Sequence, residues 1–357
     1  MSQAQKTDYT RWRMLDEDGK HTWHYLDDDE AVAKWPQTLA DKYYLGLPLG
    51  LPELPPATSP LESVSNCLTF FSKQQLPPGN WGCEYGGPMF LLPGDVIAWM
   101  VTDTHIPPVY AAEIINYLVS HANPVDGGWG LHTEGDSTVF GTSLNYTVLR
   151  LLGVEAEHPV MVQARRLLHR LGGALNAPHW SKFWLAVLGV YWVPLAPWRW
   201  WVHIRQVFLP MSWIWSKRWT APETDVIRAL RRELFVQSWE SVDWAAHRNN
   251  IAPTDNYHPK TLARRAEDWV SKLVDIEDAN SDYADLASVN APMNLLVCYI
   301  RDGPDSYSVR RHRERMEEFL WVNKEGMFVN GTNGVQCWDT AFLIQAVSAA
   351  GLAEDVK

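Results

Sequence analysis

Aromatic side chains and a histidine crowd into one segment of the chain where they could do chemistry. Residues 191–205 read YWVPLAPWRWWVHIR, and Trp201 lies two positions before His203. The whole chain has 20 Trp, against 10 Phe and 13 Tyr. Aromatic faces attract cations by about 2 kcal/mol or more once water is excluded, and histidine exchanges protons near neutral pH. The segment could therefore be a membrane anchor, an over-stocked core or the wall of a dry aromatic site.

Carboxylates offer a second possible chemistry. Glu113, Glu134 and Asp136 could act as the paired acid and base of a glycosidase, a class in which tryptophan also binds sugars. Glu134 and Asp136, however, are only two positions apart on an apparent turn. A run of four acidic residues at 27–30, DDDE, lies in a charged N-terminal arm, and we interpret it as a solvated charge run.

Charge and cysteine usage exclude several classes of partner. The net charge is −11 and no block of Lys or Arg occurs, so nucleic acid is not expected as a partner. Cys67, Cys83, Cys298 and Cys337 are scattered without a CxxC or Cys/His spacing. We therefore expect reduced, buried thiols of an intracellular chain and neither a disulfide framework nor a zinc site.

The sequence predicts neither a signal peptide nor a membrane-spanning helix. The first 20 residues contain no apolar core. The best spanning candidate, residues 183–198, is 16 uncharged residues with two prolines near its end. A span needs roughly 20 apolar residues, so a chain that meets a bilayer here would lie on it and not cross it.

Residues 1–57 are polar and then proline-rich, which is typical of an extended arm or linker. A helix is predicted to follow, with Ser59 as its N-cap, Pro60 at its first position and Glu62 completing a capping box. It carries an apolar stripe at helical spacing, formed by Leu61, Val64, Leu68 and Phe71.

Further helices are predicted from apolar spacing and from Gly and Pro at their ends. They cover residues 108–120, 143–152, 159–171 and 224–236, and a last helix follows Asp339 and ends near Gly351. No stretch shows sustained strand alternation, so the predicted fold class is all-α.

One motif occurs twice. QLPPGNWG at 75–82 and NPVDGGWG at 123–130 share the form Q/N-xxx-G-x-W-G, with Trp81 and Trp129 48 residues apart. Each copy follows one predicted helix and precedes another, which indicates helix hairpins stacked in an array or ring. We expect the amide to hydrogen-bond a helix end and the Trp to fill the gap between helices, a structural role.

Longer segments resemble the oxidosqualene cyclase family, most closely its members from filamentous fungi that form lanosterol. They are GNWGCEYGGPMFLLPG (79–94), DGGWGLHTEGDSTVFGTSLNYTVLRLLG (126–153), HWSKFWLAVLGVY (179–191), WVHIRQVFLPMS (201–212) and NGTNGVQCWDTAFLIQA (330–346). HTWHYL (21–26) and FLWVNKEGM (319–327) match as well, and the two Trp motifs are similar to the family's QW repeats. The resemblance covers nearly the whole chain in order.

The resemblance implies an architecture of two α/α barrels, or toroids, around an apolar cavity. Residues 1–57 would be an arm and linker, 58–300 the inserted barrel domain, and 301–357 the truncated start of the second, catalytic barrel. The family docks on one membrane leaflet, so the resemblance implies a monotopic protein of the endoplasmic reticulum membrane or lipid droplet.

The resemblance also implies a reaction of triterpenoid and sterol biosynthesis. In the family a buried acid protonates the epoxide of 2,3-oxidosqualene, a cation cascade closes the rings, and a last deprotonation releases the product. Carried over to this chain, the substrate-binding wall contains Tyr85, Trp180, Trp201 and Trp338. His203 would take or direct the final proton. The family uses no metal or other cofactor.

Parts of the family pattern are missing. The acid is the Asp of a D-C-T-A-E motif, and no D-C-T occurs in the chain. We interpret Asp339, in WDTAF, as a helix cap and not as that acid. Family segments are expected to be lost between Tyr191 and Trp192 and between Leu262 and Ala263. We therefore expect the chain to be inactive alone, with a non-catalytic lipid- or membrane-binding remnant, or another α/α-barrel enzyme such as a glycosidase, as alternatives.

Overall fold

The computed structural model describes residues 6–82, 84–191, 210–211, 213–247, 250–252, 267–332 and 335–352. Most regular structure in these residues is helical, which confirms the mainly helical part of the fold-class prediction. No helix among them combines the length and the apolar character that a membrane crossing requires.

The helices follow one another along the chain with short connections. They are α1 (Asp29–Lys34), α2 (Leu39–Tyr44), α3 (Pro60–Phe71), α4 (Leu92–Val101), α5 (Pro108–Ser120), α6 (Val139–Leu151), α7 (Pro159–Arg170), α8 (His179–Val187), α9 (Asp225–Glu233), α10 (Glu267–Ser281), α11 (Ala291–Asp302), α12 (Tyr307–Met316) and α13 (Val335–Ala349). In the core α6 packs against α4, α7 and α8, and α4 also packs against α11.

The start of α3 is confirmed, but its apolar stripe is not buried. Ser59 Oγ accepts a 3.2 Å hydrogen bond from the backbone N–H of Glu62, and Pro60 is the first helical residue. The Glu62 carboxylate accepts from Thr58, one residue before the position a capping box uses. Leu61 is 53% exposed, and none of the α3 residues is buried in the described structure.

Most of the compared helix ends lie close to the capping, proline or glycine residues that predicted them. Helix α5 has the predicted bounds, and α7 ends before Gly172, whose φ of 90° is left-handed and suits glycine. Helix α6 begins four residues earlier than predicted because the Thr138 side chain caps it. Helix α13 begins at Val335, so Asp339 lies within the helix and its prediction as an N-cap is wrong.

Two small antiparallel hairpins were not predicted. Strands β1 (Trp12–Glu17) and β2 (Lys20–Tyr25) pair through a two-residue turn at Asp18 and Gly19, whose φ angles are 52° and 75°. Both values lie in the left-handed region, and Asp-Gly is a favoured pair for such a turn. Strands β3 (Leu320–Asn323) and β4 (Gly326–Val329) form the second hairpin.

The N-terminal arm packs against the second hairpin. The ring of Trp321 on β3 lies 5.4 Å from that of Trp23 on β2 and 4.9 Å from that of Tyr44, in edge-to-face geometry. The backbone N–H of Lys324 donates to the carbonyl of Tyr44 at 3.0 Å. Residues from the two ends of the described chain thus share one aromatic cluster.

The two Trp motifs join turns to the helices that precede them. Trp81 Nε1 donates to the Phe71 carbonyl at the end of α3, and Trp129 Nε1 donates to the Leu118 carbonyl in α5, both at 2.8 Å. The Gln75 amide bonds the carbonyl of Gly79 inside the turn, whereas a helix end was expected. Each Trp is thus bonded to the helix that precedes it, and its predicted role of filling the gap between helices stays a prediction.

Candidate functional site

The five residues predicted to line a cavity are only partly described by the structure. Trp201 and His203 lie outside the described residues, as does most of the segment 191–205 in which tryptophan is densest. Tyr85, Trp180 and Trp338 are described.

Trp180 belongs to an aromatic cluster at the start of α8. Its ring centroid lies 5.5 Å from that of Phe90 and 6.1 Å from that of Phe140, and the two phenylalanine rings are 6.0 Å apart. The Trp180 side chain is half-buried, and its Nε1 is out of reach of solvent without a hydrogen-bond partner among the described residues. Phe90, Phe140 and Trp180, called the Trp180 cluster, bring three aromatic rings together, and aromatic faces can attract a cation or an apolar ligand.

Tyr85 is fixed by the loop that leads into α13. Its backbone N–H donates to Asn330 Oδ1 at 3.0 Å, and its carbonyl accepts from the N–H of Gly331 at 3.1 Å. A Cβ on Gly331 would lie 2.5 Å from the Tyr85 ring. Glycine at 331 is therefore what lets this ring lie flat against the loop, with half of the Tyr85 residue exposed.

Helix α13 has almost no packed face. Trp338 is 67% exposed, Phe342 and Ile344 are also exposed, and Val347 is the buried residue of the helix in the described structure. The rings of Trp338 and Phe342 are 6.1 Å apart, one helical turn from each other. Large exposed apolar surfaces of this kind mark contact sites for another chain segment, a ligand or a membrane.

The described structure brings Tyr85 close to the base of α13, but it does not join Trp180 to Trp338. Among the described residues, the ring contacts of Trp180 are with Phe90 and Phe140, and that of Trp338 is with Phe342. Tyr85 with α13 and the Trp180 cluster are therefore two separate aromatic groups in the described structure, and a shared cavity wall stays a prediction.

Glu113 does not behave as half of a glycosidase pair. Its buried carboxylate accepts hydrogen bonds from the backbone N–H and the hydroxyl of Thr7, at 2.7 and 2.6 Å, and from Tyr9 Oη at 2.9 Å. Burial and this carboxylate raise the pKa of Tyr9. Glu134 and Asp136 are exposed. Glu113 thus anchors the N-terminal arm, and no paired acid and base forms from these three residues.

The acidic run at 27–30 is solvated, as predicted, but it also begins helix α1, which was not predicted. All four residues are exposed, and the Asp28 carboxylate accepts from the backbone N–H groups of Glu30 and Ala31 at 3.1 and 3.3 Å. An acidic N-cap of this kind stabilises α1.

The cysteine prediction is partly wrong. Cys67, Cys298 and Cys337 are free thiols, as expected, but Cys67 and Cys337 are exposed and only Cys298 of the three is buried. Cys67 is exposed because α3 has no buried face, and Cys337 because α13 is scarcely packed. Cys83 lies outside the described residues.

Two buried charges were missed. Lys182 on α8 is 1% exposed, donates to the carbonyls of Asn250 and His247 at 2.8 and 3.3 Å, and lies 5.4 Å from the Tyr191 ring. Burial lowers the pKa of Lys182 to about 8. Asp95 on α4 is buried with no hydrogen-bond partner among the described residues, and burial raises its pKa well above the usual value. A lone charge inside an apolar helical run is the sequence signal in both cases.

The chain is similar to known proteins along its whole length. Residues 64–276 match the family described as the squalene-hopene cyclase N-terminal domain. The chain is 76% identical to lanosterol synthase erg7B of Aspergillus fumigatus, over 100% of this chain and 55% of that protein. It is 57% identical to lanosterol synthase ERG7 of Gibberella zeae (98% and 51%) and 39% identical to cycloartenol synthase of Dictyostelium discoideum (98% and 55%).

The chain spans about half the length of the curated relatives it matches. The match to the first Aspergillus protein extends over 396 positions, whereas the chain has 357 residues, so that relative carries at least 39 residues that the chain lacks within the matched region. Internal losses were expected, and their places at 191/192 and 262/263 stay a prediction. From the domain match and the similarity along its whole length, the chain belongs to the family of squalene-hopene and oxidosqualene cyclases.

Proposed function

We propose that the chain is the N-terminal half of an oxidosqualene cyclase of sterol and triterpenoid biosynthesis, whose substrate is (S)-2,3-epoxysqualene. The observation that carries the proposal is the similarity along the whole chain to proteins named lanosterol synthase, at 76% and 57% identity. The same similarity disfavours a glycosidase, and so does the use of the Glu113 carboxylate as an anchor for Thr7 and Tyr9.

In this proposal the helices belong to two α/α barrels. Residues 58–300 form the inserted barrel domain behind an arm at 1–57, and residues 301–357 begin the catalytic barrel. The exposed apolar surface of α13 supports the division, because the rest of a second barrel would cover it. The hydrogen bonds from Trp81 and Trp129 to their preceding helices support a role as QW repeats that fasten one hairpin to the next.

The chemistry begins with protonation of the epoxide by a buried carboxylic acid and continues as a cation cascade. Water or a nucleophile would quench such cations, so the site has to exclude water and supply charge stabilisation from aromatic faces. The chain contains no Asp-Cys-Thr triplet that could supply the acid. In this proposal the acid belongs to the C-terminal half of the enzyme.

Within the chain, Tyr85, Trp180, Trp201 and Trp338 line the substrate cavity in this proposal, and His203 takes or directs the last proton. The Trp180 cluster supports an apolar, π-rich wall on one side, and the exposed rings of Tyr85 and Trp338 support another. A neutral imidazole can accept a proton near pH 7, which fits the role of His203.

The substrate is a C30 hydrocarbon and partitions into membranes, so we place the protein on one leaflet of the endoplasmic reticulum membrane or on the lipid droplet, without a span. Neither a cofactor nor a metal takes part in the proposed reaction. Retention on vesicles without any cyclisation by the completed enzyme would instead identify a lipid-binding remnant.

The proposal is tested in a yeast strain without lanosterol synthase, with sterols read by mass spectrometry. Three genes are compared: the 357-residue chain alone, the chain fused to the C-terminal part of the Aspergillus erg7B protein, and that fusion with the missing internal segments restored from the same relative. We expect lanosterol or a related triterpene only from the restored fusion. Product from the chain alone, or none from a stably expressed restored fusion, would overturn the proposal.

Variants of the restored fusion test the individual residues. Trp338→Ala removes the π face, whereas Trp338→Phe keeps one, so we expect about a tenfold loss of kcat in the first and a smaller loss in the second. His203→Asn should change the product distribution, because the final deprotonation loses its base. Trp81→Phe, which alters a turn and not the cavity wall, is the matched control.

A further inference from the structure

Three potential metal ligands meet in the buried space between α10, α11 and α12. Asp278 comes from α10, Cys298 from α11 and His312 from α12, and all three are buried. Asp278 Oδ2 lies 3.3 Å from His312 Nε2 and 3.6 Å from Cys298 Sγ. One ligand atom from each residue falls within 4.8 Å of the other two. The linear spacing of these residues gave no sign of this arrangement.

A fourth buried group orients the histidine. Asp285 follows α10 with a φ of 58°, a left-handed conformation that turns the chain back toward α12. Its Oδ2 lies 3.6 Å from His312 Nδ1, and its Oδ1 accepts from Asn294 Nδ2 at 3.1 Å. The imidazole thus has a carboxylate on each side, with Nε2 facing Asp278 and Nδ1 facing Asp285.

The polar atoms of this cluster are short of partners. Asp278 Oδ1, Asp285 Oδ2 and both ring nitrogens of His312 have no hydrogen bond to any described residue, despite the close approaches. Buried polar atoms in proteins almost always have a partner, so these atoms are short of a ligand that protein groups do not supply.

The cluster also concentrates acidic groups. Burial and the neighbouring Asp278 carboxylate raise the pKa of Asp285 and of the Cys298 thiol. Glu277 lies next to them and accepts from Asn290 Nδ2 at 2.6 Å. The guanidinium of Arg301 is 4.0 Å from Cys298 Sγ, but it is engaged by Asp275 and Asp302 at 2.8 and 2.7 Å. The acidic groups therefore outnumber the cations that face them.

We propose that Asp278 Oδ2, Cys298 Sγ and His312 Nε2 bind one divalent transition-metal cation of the zinc type, with Asp285 as the hydrogen-bond acceptor for His312 Nδ1–H. On binding, the thiol gives its proton to solvent, and the thiolate and the Asp278 carboxylate balance the two positive charges. Water completes the fourth position of a tetrahedron.

Geometry supports a small tetrahedral ion. Bonds of about 2.0–2.3 Å from zinc to nitrogen, oxygen and sulfur place neighbouring ligand atoms about 3.3–3.8 Å apart. Two of the three separations, 3.3 and 3.6 Å, fall in that range, and all three ligand atoms lie within 4.8 Å of one another. A metal-bound histidine whose other nitrogen faces a carboxylate is the usual arrangement around zinc. Mixed sulfur, nitrogen and oxygen ligands favour zinc over calcium or magnesium, which prefer oxygen alone.

The ion would fasten three helices to one another. Helix α12 leads directly toward β3, whose Trp321 contacts the N-terminal arm. The proposed role is structural and does not depend on the cyclase proposal, because it needs neither substrate nor the catalytic acid.

The test is zinc binding to the purified 357-residue chain. Equilibrium dialysis against ZnCl2, with metal measured by inductively coupled plasma mass spectrometry, should give one tightly held zinc per chain. We expect Cys298→Ser and His312→Gln to weaken binding at least tenfold. Cys337→Ser, at an exposed thiol, is the matched control and should bind like the parent chain.

A second measurement uses the unaltered chain, because a substitution in the buried cluster can unfold it. Co2+ in place of zinc should produce sulfur-to-metal charge-transfer absorption, and ZnCl2 should raise the thermal unfolding midpoint. No zinc above the Cys298→Ser level, a cobalt spectrum without that absorption, or full zinc retention in both buried variants would overturn the site.

Discussion

The indole Nε1 of Trp129 donates a 2.8 Å hydrogen bond to the carbonyl oxygen of Leu118, in the last turn of α5. Carbonyls in the last turn of a helix have no partner within the helix, so this bond satisfies a group that would otherwise be unpaired. Trp129 is 1% exposed, whereas Trp81, which bonds Phe71 at the end of α3, lies near the surface. The same motif thus bonds a turn to a helix end in the protein interior in one copy and near the surface in the other.

Substitution of Trp129 by Phe should destabilise the chain through the loss of one buried hydrogen bond. We expect the free energy of unfolding to fall by about 1–3 kcal/mol, because the Leu118 carbonyl stays buried without a donor. Denaturant unfolding followed by circular dichroism measures the change. Trp81→Phe is the control and should lower the free energy by less, since water can replace the indole there. Equal losses in the two variants would contradict the structural distinction.

Replacement of Asp95 should stabilise the chain at neutral pH. Burial raises the pKa of Asp95 in the folded state above the value of the unfolded chain. The folded state therefore favours the protonated form, and stability is lost as the pH rises above about 4. We expect Asp95→Leu to increase the unfolding free energy by about 2 kcal/mol at pH 7, with a gain that shrinks toward pH 4.

Asp27→Asn, at an exposed position, is the control for the Asp95 variants. It should change the free energy of unfolding by no more than about 0.5 kcal/mol. Asp95→Asn, which removes the ionisation but keeps an unpartnered polar group, should give a smaller gain than Asp95→Leu. A loss of stability in both Asp95 variants at pH 7 would show that the carboxyl has a partner that offsets its burial.

The titration of Lys182 should make the free energy of unfolding depend on pH in the alkaline range. Its pKa is about 8 in the folded chain and 10.5 in the unfolded chain. Between these values the unfolded state holds a proton that the folded state has released, so the free energy of unfolding rises with pH through this window. Below pH 8 both states are protonated, and the folded chain carries the burial penalty in full.

Lys182→Met removes this titration. The difference in unfolding free energy between the parent chain and Lys182→Met should change by about 2–3 kcal/mol in favour of the parent from pH 8 to pH 10.5. Lys73→Met, at an exposed lysine, should show no such trend across the same range. A flat difference for Lys182→Met would refute the lowered pKa.

Helix α13 should open more easily than α6. Its one described buried residue is Val347, whereas residues Val139 to Leu149 of α6 are all buried. Few buried contacts mean a low free energy of local opening, so backbone amides of α13 should exchange with deuterium at least tenfold faster than those of α6. The restored fusion with a C-terminal half should slow this exchange. Equal protection in the isolated chain would contradict an unpacked α13.

Local signals in the sequence identified six of the thirteen described helices (α3, α5, α6, α7, α9 and α13) but not their packing. Pro108, Ser59 and Gly172 act through their own backbone or cap geometry, which depends on neighbours a few residues away. The exposure of Leu61 depends on what covers α3, which no pattern within α3 reveals. The Asp18-Gly19 pair is typical of a hairpin turn. The hairpin was not predicted because its strands are only six residues long and show no sustained alternation.

For the candidate site, too, the sequence identified individual residues but not the contacts between them. The family resemblance named Tyr85, Trp180 and Trp338, but the fit of the Tyr85 ring against Gly331 joins positions 246 residues apart and has no local signature. Asp278, Cys298 and His312 likewise come from three different helices. Convergence of this kind is set by helix packing, and spacing along the chain does not encode it.

The contact between Trp23 and Trp321 also fixes an order of events during synthesis. The N-terminal hairpin leaves the ribosome almost 300 residues before its aromatic partner. Until then Trp23 has no Trp321 ring to pack against, and closing so long a loop is slow. The arm is therefore synthesised well before Trp321, and the face of Trp23 that meets the Trp321 ring is buried only after that strand has emerged.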